Sequence, residues 1–126
     1  MDYLDFHHRL VAALPPGTIL QNPGGGTTEI LNYTASDNLV YLRGRTRIYV
    51  SIRELFVAYQ LFQGQMVSSA DLRDFAPKIF DSKQSGHSCN CTVLFMVLRA
   101  MGLVDRIEGR GVAGYPYRVN LRGQPD

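Results

Sequence analysis

The sequence predicts an α+β fold: an N-terminal helix and an antiparallel β-meander, followed by three helices and a C-terminal β-hairpin. Three observations carry this reading. The hydrophobic period changes from 3.6 residues to two near residue 18, and back to 3.6 near residue 51. Clusters of glycine, proline, asparagine and serine stand at the joints between periodic segments. Near the C-terminus, a glycine-rich stretch from Gly109 to Gly114 separates two runs with strand patterning. A chain of 126 residues, 45% of them hydrophobic, suits one domain with its own core. Residues 1–50 form its helix-plus-meander part, residues 51–121 its three-helix and hairpin part, and residues 122–126 a polar tail.

Each element has a local cause. Residues 2–14 read as an amphipathic helix, because Tyr3, Phe6, Leu10, Ala13 and Leu14 recur at helical spacing. Asp2 is placed to cap it, and Pro15-Pro16-Gly17 ends it. Short strands follow over residues 18–20, 28–34, 39–42 and 45–50, joined by Pro23-Gly24-Gly25-Gly26, Ser36-Asp37-Asn38 and a tight turn at Arg43-Gly44. Ser51 and Glu54 fit a capping box, opening a helix whose apolar face is Leu55, Phe56, Tyr59 and Phe62, with Gly64 as its stop. Ser68 or Ser69 caps the next helix, Asp71 sits in its first turn, and Pro77 kinks or splits it. Ser88 is expected to cap a third helix over residues 89–101, ended by Gly102. Residues 103–108 and 115–121 read as the strands of the closing hairpin.

Composition narrows the function. No apolar run reaches the roughly 18 residues a membrane span needs. The N-terminus begins Met1-Asp2-Tyr3-Leu4-Asp5, without the basic and apolar regions of a secretory signal, so a cytoplasmic location and no membrane partner are expected. Two cysteines do not make a disulfide framework. Net charge is only +2, but the basic residues are 11 arginines and 2 lysines. Arginine carries a planar fork that matches phosphates and guanine edges. A GC-rich coding sequence produces the same bias.

Four stretches could carry chemistry. In Gly86-His87-Ser88-Cys89-Asn90-Cys91-Thr92, a histidine and two cysteines suggest metal ligands or a Cys-His nucleophile with Cys89 attacking and His87 as base. Against a metal, the spacing is Cys-x-Cys, and on a helix the two side chains point about 200° apart. Against a nucleophile, no orienting third residue stands out beyond Asp81. The competing reading is two small thiols packing in a core. The apolar run Val93–Leu98 makes this a helix that needs burial on most sides. Asn22-Pro23-Gly24-Gly25-Gly26-Thr27-Thr28 looks like a phosphate cradle but lacks the spacing of known glycine-rich phosphate loops, so a plain loop is the preferred reading. Arg43, Arg45 and Arg47 are expected to form a three-arginine patch on one strand face with Tyr41 and Tyr49, and the last hairpin repeats the theme with Arg106, Arg110, Tyr115, Tyr117 and Arg118. The alternative for both is the solvated face of a half-buried sheet. No pair of carboxylates stands out for acid–base work.

The order helix, helix, loop, helix, strand, glycine-rich turn, strand over residues 52–121 resembles a winged helix-turn-helix domain. It matches in element order, over a little more than half the chain, and without a diagnostic motif. The resemblance implies a nucleic-acid-binding, non-enzymatic module, with duplex DNA as partner and no cofactor or metal. The first turn of the third helix (His87, Ser88, Asn90 and Thr92) would face base edges, and the hairpin arginines Arg106 and Arg110 would reach phosphates or the minor groove. Tyr117 and Arg118 complete the expected wing contacts, and Arg43, Arg45 and Arg47 the backbone contacts. A different class competes: a protein-interaction or small-ligand module acting as a homodimer, motivated by the apolar third helix and by Tyr115 and Tyr117. A Cys/His-dependent enzyme is the third class.

Overall fold

The computed structural model describes residues 1–123, so the last three residues of the expected polar tail, 124–126, lie outside the described residues. The element order is mixed α and β, in an α+β arrangement. Helix α1 spans Tyr3–Ala13, with the Asp2 side chain accepting from the Asp5 amide as its cap. Strands β1 (Ile19–Gln21), β2 (Thr27–Tyr33), β3 (Asn38–Arg43) and β4 (Thr46–Ser51) form one antiparallel sheet in sequence order, as short hairpin connections dictate. Ser51 closes the sheet and opens helix α2 (Ile52–Leu61), its hydroxyl accepting from the Glu54 amide at 3.2 Å.

The second half begins with a strand in a stretch to which the sequence assigns no element. Strand β5 (Met66–Ser68) is only three residues long, too short for a period to register. Helix α3 (Ser69–Phe75) follows, with a full capping box in which Ser68 and Asp71 exchange bonds. The expected break at Pro77 separates α3 from α4 (Pro77–Phe80), where proline takes the first helical position. A 3-10 turn at Ser82–Gln84 leads to helix α5 (Cys89–Ala100). After α5 the chain folds back on itself as the expected hairpin, but its ladder is sparse. It is held by isolated bridges at Glu108↔Arg118 and Val112↔Tyr115. The one regular strand of this region, β6 (Arg118–Asn120), spends its three-residue register on β5.

Helix α5 is the centre of the core. Val93, Leu94, Phe95, Met96, Val97 and Leu98 are all at most 1% exposed, as a helix apolar on every side requires. Each such side chain contributes about 1.5–3 kcal/mol relative to an exposed position. Helices α3 and α4 pack directly on α5, and the same buried cluster takes in Phe6 and Leu10 of α1, Ile30 and Tyr41 of the sheet, and Val119 of β6. The chain therefore covers its own apolar helix. The surplus apolar surface that motivated a second copy of the chain is satisfied internally. Among the described residues no helix is long and apolar enough to cross a membrane.

Candidate nucleic-acid interface and arginine cleft

The β3–β4 hairpin decides where the arginines go. Arg43 pairs with Thr46, Leu42 with Arg47, Tyr41 with Ile48 and Val40 with Tyr49. Directly opposed residues share a face of an antiparallel sheet. Odd residues of β3 thus share a face with even residues of β4. The two-residue turn Gly44-Arg45, with Gly44 at φ +62°, has the form of a II′ hairpin turn and produces this inversion. The expected common face of Tyr41, Arg43, Arg47 and Tyr49 does not exist. Tyr41 and Arg43 face the core side with Ile48. Arg47 and Tyr49 face the other way, and Arg45 sits in the turn itself rather than on the strand.

Arg45, Arg47 and Tyr49 are exposed, Tyr49 at 54%. Among the described residues Arg45 and Arg47 enter no ion pair. In the last hairpin, Arg110 is likewise exposed and without an ion pair among the described residues. Arg106 lies 3.4 Å from Glu108 and Arg118 lies 3.8 Å from the same carboxylate. Arg118 also stacks 5.1 Å from the Tyr115 ring. It is a strut of the hairpin more than a free cation. Tyr117 is half-buried and packs against Gly111, where any side chain would collide with its ring.

The start of α5 is built differently from its expected role. His87 is exposed. Ser88 does not cap the helix; its hydroxyl accepts from the Ser82 amide at 3.1 Å and pairs with the Ser82 hydroxyl. Asn90 is only 3% exposed. Its carbonyl accepts from the Tyr41 hydroxyl at 2.6 Å and its amide donates to the Ile79 carbonyl at 2.8 Å. Asn90 is therefore an interior fastener, and Thr92, 9% exposed, is tied into the same interior contacts.

These fasteners belong to a polar network that joins the sheet, the glycine loop and α5. Tyr41 is fully buried, and burial, with the Cys89 bond second, raises its hydroxyl pKa far above the ordinary tyrosine value. With its proton given to Asn90, the hydroxyl oxygen can accept from the Cys89 thiol at 3.2 Å. Arg43 donates through Nη2 to Asn22 Oδ1 and Thr92 Oγ1, both at 3.0 Å, and through Nε to Thr28 Oγ1 at 3.3 Å. Thr28 in turn donates to Asn22 at 2.6 Å, and Asn22 donates to the Gly25 carbonyl at 3.3 Å. Cys91 points elsewhere, toward the carbonyls of Ser69 and Phe80, and burial pushes its thiol up to about 12. It is a packed thiol and not a nucleophile at neutral pH. Among the described residues no three histidine, cysteine, aspartate or glutamate side chains gather as a metal ligand set.

The network floors a cleft of about 600 Å³. Its walls are Asn22 to Thr27, Glu29, Leu42 to Gly44, Thr92 and Tyr117. The glycine loop closes one side because Tyr117 lies against it: a Cβ at Gly24 would stand 2.7 Å from the Tyr117 hydroxyl oxygen. Of the residues expected to act, the structure brings Arg43 and Tyr117 together here. It leaves Arg45, Arg47 and Arg110 on the surface. Asn22, Thr28 and Tyr41 were not expected to work together. Asn22 and Thr28 flank the glycine-rich stretch for which the sequence favours a plain loop over a phosphate cradle, and no sequence signal marks Tyr41 as interior. Compared with known proteins, the chain matches no family model, no curated protein and no solved structure.

Proposed function

We propose that this chain is a nucleic-acid-binding module, with duplex DNA as its partner, that grips phosphates with the arginines of its two hairpins. The observation that carries the reading is the β3–β4 tip. Arg45 and Arg47 project there with Tyr49, exposed and free of ion pairs among the described residues. Arg106, Arg118 and Arg122 have carboxylate partners, whereas Arg45 and Arg47, two residues apart on one hairpin, have none among the described residues. Uncommitted arginines beside an aromatic ring suit phosphate and base contact. The winged-helix-like order of α2, α3, α5 and the closing hairpin supports the same reading, with Arg110 as the wing contact. The burial of Asn90 and Thr92 argues for backbone contacts over base reading by α5, leaving His87 as the exposed side chain at that helix start.

The test pairs one arginine from each hairpin. In fluorescence anisotropy with duplex DNA, Arg45→Ala with Arg110→Ala is expected to bind at least roughly tenfold more weakly than the parent, since each phosphate contact removes part of a charge-assisted, counterion-releasing interaction. Equal binding by parent and double variant rules the assignment out. Duplex binding that is absent in the parent as well rules out the function.

A further inference from the structure

We infer that the cleft beside Arg43 is a binding pocket for a phosphate group carried by a nucleotide-sized ligand. The inference is independent of the exposed hairpin arginines and does not need duplex binding. A guanidinium has five N–H donors. Arg43 spends three of them, two from Nη2 and one from Nε, on Asn22, Thr92 and Thr28. The two on Nη1 have no acceptor among the described residues, although Arg43 lines the cleft. All three groups that hold it are neutral oxygens. Its charge is positioned on three sides, and among the described residues no carboxylate lies within ion-pair distance of it.

The surroundings select for an anion of some size. The three-point clamp fixes the guanidinium plane, so no ordering of a long side chain is needed on binding, the usual cost of an arginine contact. The Tyr117 hydroxyl adds a second donor at the glycine wall. Gly24 to Gly26 bring bare backbone to the opening, and the amides of Gly24 and Gly26 have no backbone acceptor among the described residues. Arginine's paired N–H groups match two phosphate oxygens at once. A volume of about 600 Å³ exceeds what an isolated inorganic ion fills and falls in the range of small-ligand sites. Glu29, also in the lining, supplies an acceptor suited to a sugar hydroxyl or an exocyclic amine while disfavouring a purely anionic ligand. A nucleoside monophosphate combines these features. The same group could come from a free nucleotide or from the phosphorylated end of a strand.

Titration of the full chain with inorganic phosphate, with a nucleoside 5′-monophosphate and with a 5′-phosphorylated oligonucleotide tests this, read by calorimetry and by amide shifts of Gly24 to Thr27. Saturable binding is expected, with the monophosphate tighter than inorganic phosphate. Arg43→Gln should weaken it by roughly tenfold or more, the loss expected for a hydrogen bond to a charged group. Glu29→Gln should tighten inorganic phosphate severalfold by removing a like charge, and Tyr117→Phe should weaken it without altering the fold. These two variants carry the test if Arg43→Gln does not fold. Comparable binding of free monophosphate and phosphorylated oligonucleotide upholds the pocket with a free nucleotide as ligand. A strong preference for the oligonucleotide that vanishes without its 5′-phosphate upholds it with a strand end. No saturable binding of any probe by the parent, or binding that neither Glu29→Gln nor Tyr117→Phe changes, overturns it and leaves Arg43 as a clamp between the loop and α5.

Discussion

Tyr41 shows how much of this molecule turns on single polar atoms. It is fully buried and satisfies the Asn90 carbonyl, which has no other hydrogen-bond donor among the described residues. Tyr41→Phe keeps the ring and strands that acceptor. It should cost about 1–3 kcal/mol in denaturant unfolding, the penalty for a buried acceptor left unmade. A loss below the error of the measurement would mean the network contributes nothing to stability. Cys91 gives a pH signature. Its folded pKa is raised to about 12, above the ordinary thiol value of 9.0, so the folded state holds its proton longer than the unfolded state does. Its contribution is intact below pH 9 and is lost as pH rises toward 12, at up to about 1.4 kcal/mol per pH unit. Stability of the parent should therefore fall more steeply above pH 9 than that of Cys91→Ala; parallel curves would contradict the buried, protonated thiol. Tyr41 was visible in the sequence as an aromatic on a strand, but not as an interior residue. Its place depends on the parity of a turn, and a two-residue turn swaps which numbers share a face.

At the scale of elements, the sequence was most legible where the chemistry is local. The caps at Asp2, Ser51 and Ser68 each act over three residues and accept the expected amide, although the reciprocal Glu54 half of the expected Ser51 capping box does not form. Ser88 has the same local appearance and does not cap α5, because Ser82, six residues earlier, takes its hydroxyl. Ser68→Ala should cost about 0.5–2 kcal/mol, the worth of a lost N-cap. Thermal unfolding checks this, and an unchanged midpoint would remove the capping box from the account. Strand β5 is not legible in the sequence because its partners on β6 lie 50 to 54 residues away. The closing hairpin was legible from its glycines, but not its sparse ladder, since β6 prefers β5 as its neighbour. Pro77 marked its break plainly, because proline acts on its own backbone.

Across the whole molecule, the apolar run in α5 announced a buried helix, and the structure wraps it with α3, α4, the sheet and β6. The cleft was not legible. Arg43 meets Thr92 across 49 positions and Asn22 across 21, and no periodicity reports contacts of that separation. The resulting division of labour is simple: one arginine held inward over a cleft, and others left on hairpin surfaces without counter-charges among the described residues. Phosphate neutralisation by the surface arginines is the proposed basis of nucleic-acid binding. Its most direct test is duplex DNA binding followed by anisotropy across a range of salt concentrations. Log affinity should fall linearly with log salt, with a slope that becomes shallower by about 0.9 for each phosphate-contacting arginine removed, Arg45, Arg47 or Arg110. Binding that is insensitive to salt, or a slope unchanged when all three are replaced by alanine, would contradict it.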